Sequence, residues 1–148
     1  MTLNPAHITV GEALPPLRER TKVKLAGEIL VTYARARWWL RTRTLPEALD
    51  LLRAAPLARA TPAGAPLHQI EDRLAHSVVR TLSALPSDSR CLVRSLVLSS
   101  VLARRGIAST LVLAVNSEPS FAAHAWVERE GVALLPPGND GFKRILEI

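Results

Sequence analysis

Apolar residues recur at helical spacing through the first two-thirds of the chain and alternate with polar ones through the last third. Val23, Ala26, Ile29, Leu30, Tyr33 and Ala34 fall on one helical face, which predicts a long helix over residues 17–42, opening just after Pro16. A short helix over residues 47–53 follows Leu45-Pro46. Three prolines and one glycine within residues 55–66 read as a linker. Ile70, Leu74, Val78 and Leu82 predict a third helix that ends at Pro86. Ser87-Asp88-Ser89 are N-cap residue types, and they precede a helix over residues 90–105. That helix is apolar almost all round (Leu92, Val93, Leu96, Val97, Leu98, Val101, Leu102), so it belongs inside a domain. Arg104 and Arg105 place cations at its end, and Gly106 serves as its C-cap. The pattern then turns strand-like over residues 109–115, 121–128, 132–135 and 142–148, with a hairpin turn at Glu130-Gly131. Residues 1–16, punctuated by Pro5, Gly11, Pro15 and Pro16, read as an extended arm. Helices followed by antiparallel strands make an α+β fold.

Size and composition narrow the function classes. The chain has 148 residues, 48% of them hydrophobic and 22% charged, enough to bury one core. Nineteen Lys+Arg against 13 Asp+Glu leave a net charge of +6. This balance suits an acidic partner such as nucleic acid, an anionic membrane or an acidic peptide. Arg- and Ala-rich composition is equally what a GC-rich genome produces, and no nucleic-acid partner is expected. Neither a secretory signal nor an apolar run of about 18 residues is visible, so the expectation is a cytoplasmic protein. The helical segment over residues 34–43 combines Arg35, Arg37, Arg41 and Arg43 with Trp38 and Trp39. It reads as a solvated basic face whose tryptophans pack inward, or as a surface for lipid headgroups or an anionic partner.

The single cysteine excludes an internal disulfide framework and a four-cysteine zinc site. Cys91 sits in the first turn of the apolar helix, where free backbone N–H groups and the positive end of the helix dipole favour a thiolate. His124 lies on a predicted strand in Ala-His-Ala-Trp-Val-Glu, residues 123–128. A strand packed against the start of that helix would make a nucleophile and base pair. Read from the residues alone, Cys91 as an inert thiol and His124 as an ordinary strand histidine remain open. His7, His68 and His76 read as ordinary polar positions. No histidine pair has zinc spacing with further ligands, and no phosphate-binding glycine loop is present, so neither metal nor cofactor is expected.

Three stretches carry a family resemblance: Cys91-Leu92-Val93-Arg94-Ser95-Leu96, then Arg104-Arg105-Gly106-Ile107-Ala108, then His124-Ala125-Trp126-Val127-Glu128 with Gly131. In this order they resemble the transglutaminase-like cysteine-protease core, and within it the lasso-peptide leader peptidases of the microcin J25-processing type. The resemblance covers residues 66–148 and extends loosely over the helical N-terminal part. It implies a papain-like arrangement, a central cysteine-bearing helix packed on a small antiparallel sheet. Residues 1–60 would form a helical docking or packing part and residues 61–148 the catalytic core, together one compact unit.

The resemblance also implies roles. Cys91 would be the nucleophile and His124 the general base. The family's third member is an aspartate on the strand after the histidine, which orients the ring. Here the chain departs from the pattern. The hairpin turn sets His124 opposite residues 135–137, which hold no carboxylate. Asp140 is the first candidate orienter and Asn139 the second. Trp126 either walls the site or belongs to the core, and Arg94 either supports a substrate carboxylate or the thiolate, or makes a surface ion pair. Glu128, about 13 Å along the strand from His124, is too far to pair with it. The implied partners are a lasso precursor peptide, a separate leader-binding (RiPP recognition element) protein and an ATP-dependent lasso cyclase. Residues 17–60 are the candidate docking surface, for these partners or for a membrane. Two other functions fit the same residues: a non-catalytic scaffold or leader binder, and a Cys–His acyltransferase.

Overall fold

A computed structural model describes residues 15–54, 64, 66–86 and 90–148. Most of the expected arm and linker, and the Ser87-Asp88-Ser89 cluster, lie outside the described residues. Four helices, α1 (Glu19–Thr42), α2 (Leu45–Arg53), α3 (Leu67–Ser83) and α4 (Arg90–Ala103), precede four strands. These are β1 (Thr110–Asn116), β2 (Ala122–Arg129), β3 (Val132–Ala133) and β4 (Lys143–Glu147). They form one antiparallel sheet in the order β3-β2-β1-β4. The fold is α+β, as the order of apolar patterns predicts.

Helix α4 is the axle, because a helix apolar on every side must be covered on every side. It packs against α1, α2, α3, β1 and β2, and Leu96, Val97, Leu98, Val101 and Leu102 are fully buried. Three buried serines on α4 are each satisfied. Ser95 Oγ donates to the Cys91 carbonyl at 2.7 Å, and Ser100 Oγ donates to the Leu52 carbonyl at 2.8 Å. Ser99 Oγ accepts from Arg53 Nε at 3.1 Å. Arg53 Nη2 also donates to the carbonyls of Ser109 (2.8 Å) and Ile148 (3.2 Å), so one α2 side chain ties α4 to both β1 and the end of the chain. Gly106, at φ 72°, turns the chain out of α4 in the left-handed conformation glycine adopts without strain.

The face of α1 differs from the expected one. Leu25, Ile29, Thr32 and Ala36 are buried, whereas Val23 is 70% exposed and Leu30 and Val31 also face outward. Of the two tryptophans, Trp39 packs on the core beneath the Arg35 guanidinium, and Trp38 is 65% exposed. Glu28 fixes the helix in place through two 3.0 Å hydrogen bonds from Arg105. In α2, the Thr44 N–H and hydroxyl both donate to Glu47 Oε2 at 2.9 Å, a capping arrangement that starts the helix at Leu45 with Pro46 in its first turn.

Strand β3 is shorter than the alternation predicts. The hairpin forms at Glu130 (φ 52°) and Gly131 (φ 79°), the positive pair that a two-residue turn of this twist requires. Pairing continues through Leu134, whose N–H donates to the Val127 carbonyl at 2.8 Å. Pro136 and Pro137 then have no N–H to offer the ladder.

Candidate active site

Cys91 is a free, half-buried thiol one residue into α4. The connection from α4 to β1 is short, so β1 returns along the helix. The 14 residues of α4 rise about 21 Å and the seven of β1 about 23 Å. The end of β1 and the start of β2 therefore lie where α4 begins. His124 stands opposite Ala114 near that end. It shares a sheet face with Ala114 and Trp126, which belong to the same core cluster as Val93, Leu96 and Val97 of α4. Cys91 thus stands at the start of α4, and His124 stands on β2, a strand that packs against α4. Among the described residues no hydrogen bond joins Cys91 Sγ to the ring.

The imidazole is held on three sides. Trp126 stacks on it with centroids 5.9 Å apart and planes 29° apart, and Phe142 lies at 5.9 Å, tilted by 57°. His124 Nε2 lies 2.9 Å from the Pro136 carbonyl oxygen. Sequence reasoning missed Phe142. Its signal was Gly138, where any Cβ would come within 2.7 Å of the Phe142 ring carbon Cγ. The glycine lets the ring close over the turn and reach His124.

The remaining candidates are placed as follows. Asp140 is exposed and makes no hydrogen bond to the ring, and Asn139 Oδ1 accepts from the Gly141 N–H at 3.1 Å. Trp126 is buried at 3% exposure and donates its Nε1–H to Glu128 Oε1 at 2.7 Å. Arg144 lies over the Trp126 ring and grips the same carboxylate at 2.7 and 3.0 Å. Burial pushes the Glu128 carboxyl up, but the Trp126 and Arg144 hydrogen bonds outweigh it and hold it below the usual carboxylate range. Arg94 Nη2 donates to Ser83 Oγ at 3.0 Å, joining α4 to the end of α3. A cleft lined by Arg105, Ile107, Ser109, Thr110, Arg129 and Glu130 lies at the opposite end of β1. Its arginines are already paired, Arg105 with Glu28 and Arg129 with Glu71 at 2.8 Å, which leaves it little pull on an anion. No group of His, Cys, Asp and Glu suited to a metal ion occurs among the described residues.

A family model described as the transglutaminase-like superfamily matches residues 23–147. The chain belongs to the transglutaminase-like superfamily. The match runs from within α1 to the end of β4, so it takes in the N-terminal helices together with the Cys91 helix and the His124 strand. No match was found among curated proteins or among solved structures. Cysteine proteases and transglutaminases are common in this superfamily, so membership supports an enzyme in general. Among the described residues no helix is long and apolar enough to cross a membrane.

Proposed function

We propose that this transglutaminase-like chain is a cytoplasmic cysteine peptidase that removes the leader from a lasso-peptide precursor. What supports the reading is Cys91 in the first turn of α4, together with His124 on β2, a strand packed against α4, its imidazole held by Trp126, Phe142 and the Pro136 carbonyl. The chemistry follows from these two groups. His124 takes the Cys91 proton, and the thiolate attacks the carbonyl carbon at the leader–core junction. Backbone N–H groups at the start of α4 face the oxyanion that forms. The C–N bond breaks as His124 returns the proton to the departing amine. Water, giving a proton to His124, then splits the thioester and releases the leader as a carboxylate. The freed α-amine of the core is the group a separate ATP-dependent cyclase would acylate. The resemblance to the leader peptidases implies a separate leader-binding protein that would deliver the precursor.

One observation favours a second reading, a non-catalytic scaffold or leader binder: among the described residues no carboxylate side chain meets the His124 ring. Intact-mass analysis of a precursor mixed with this protein and its leader-binding partner separates the two. Cleavage at a single site by wild type and not by Cys91→Ala supports the peptidase. An uncut precursor, together with a Cys91 that iodoacetamide does not alkylate near neutral pH, supports the scaffold. A product carrying an added amine in place of water would identify an acyltransferase.

A further inference from the structure

We infer that the third member of this site is main chain: the Pro136 carbonyl positions His124. The inference rests on the peptidase reading for its consequence and on the structure for its geometry. A carbonyl oxygen only accepts hydrogen bonds. At 2.9 Å from Pro136 O, His124 Nε2 must therefore carry the hydrogen. In the neutral ring this fixes the tautomer, with Nδ1 unprotonated and its lone pair free to take the Cys91 proton. When Nδ1 accepts that proton the ring becomes cationic. Nε2–H remains on Pro136 O, and the bond is then charge-assisted. On release of the amine the proton leaves from Nδ1, and the Nε2 contact is unchanged through the cycle.

The acceptor is itself held in place. Proline fixes its own φ, and a following proline confines the residue before it to extended backbone, so two rings set the direction of the Pro136 carbonyl. The Leu134 N–H on the Val127 carbonyl at 2.8 Å fixes the approach, and the Phe142 N–H on the Asn139 carbonyl at 2.9 Å closes the far side of the turn. Phe142 packs against both Gly138 and the imidazole. Asn139 spends its side-chain oxygen on Gly141 within this same turn, and Asp140 points to solvent. The contact a carboxylate makes in the family pattern is made here by a neutral oxygen. It aligns the ring without adding a negative charge.

The test reads the tautomer directly, by long-range nitrogen–proton correlation on protein labelled at histidine nitrogen, at a pH where His124 is neutral. The expected result is hydrogen on Nε2 and none on Nδ1, unchanged in Asp140→Ala, which leaves both prolines and the Asn139–Gly141 hydrogen bond in place. Asp140→Ala is also expected to alkylate at Cys91 as fast as wild type, whereas loss of a true carboxylate orienter would leave the wrong tautomer and a slower thiol. Hydrogen on Nδ1 in wild type, or a change of tautomer or a rate collapse in Asp140→Ala, overturns the inference. The tautomer is read without substrate. A wild type with the expected tautomer that fails to cleave precursor therefore overturns the peptidase and leaves the Pro136 contact standing.

Discussion

Glu128 and Arg144 form a two-pronged ion pair, Oε1 to Nη2 at 2.7 Å and Oε2 to Nη1 at 3.0 Å, directly behind the tryptophan that stacks on His124. The carboxylate is buried and also takes the Trp126 N–H, so it fixes the ring that stacks on His124. In the folded chain its pKa lies below the ordinary value. Its stabilising effect is therefore full above the unfolded pKa of about 4.3 and fades as pH falls through the lower folded value. Glu128→Gln keeps an acceptor for Trp126 and removes the charge. The variant is expected to lose about 1–2 kcal/mol near neutral pH. The gap between wild type and variant urea midpoints should close as pH is lowered below 4.3, which is about where the unfolded carboxylate titrates. A gap that is the same at all pH values would show that the charge contributes nothing.

Removal of the imidazole tests the pairing of thiol and ring. His124→Ala is expected to slow iodoacetamide alkylation of Cys91 at neutral pH by about tenfold or more, because a lone cysteine is only a few per cent thiolate there. Intact mass against time measures it. An unchanged rate would mean that the helix start alone activates Cys91.

Arg53 is expected to resist conservative replacement. Its planar fork serves Ser99 Oγ and two carbonyls, and a lysine ammonium does not match three separated acceptors. Arg53→Lys should cost about 2 kcal/mol, read as a lower denaturation midpoint at constant m-value. Leu96→Ala, in the middle of α4, supplies the comparison, with an expected loss of about 3 kcal/mol from the cavity it leaves.

Gly131→Val places a β-branched residue at φ 79°. The strain is expected to cost about 1–2 kcal/mol. It should also shift the chain that carries Pro136, so Cys91 alkylation is expected to slow by more than the loss of folded protein explains. Circular dichroism and alkylation on the same samples separate the two effects.

Much of this was legible in the chain, and the reasons differ from place to place. α4 stood out because burial on all sides demands apolar residues on all sides, and Cys91 stood out because of where it falls on that helix. The hairpin was written in Glu130-Gly131. The face of α1 was not legible: Val23, Leu25, Ile29, Leu30 and Val31 put apolar residues nearly all round, so spacing alone did not choose the buried stripe Leu25–Ile29–Thr32–Ala36. Counting across the hairpin correctly put His124 opposite residues 135–137. The partner itself was not legible, because the oxygen that bonds the ring is one every residue has.

A partner drawn from the main chain leaves no letter in the sequence. Any residue at position 136 that keeps the path of the turn presents the same oxygen. With Pro136 in this part, sorting chains into active and inactive by the presence of an aspartate after the histidine would misfile this one. The better marker is the shape of the turn, a hairpin of fixed length running into a stiff stretch that halts the strand opposite the histidine.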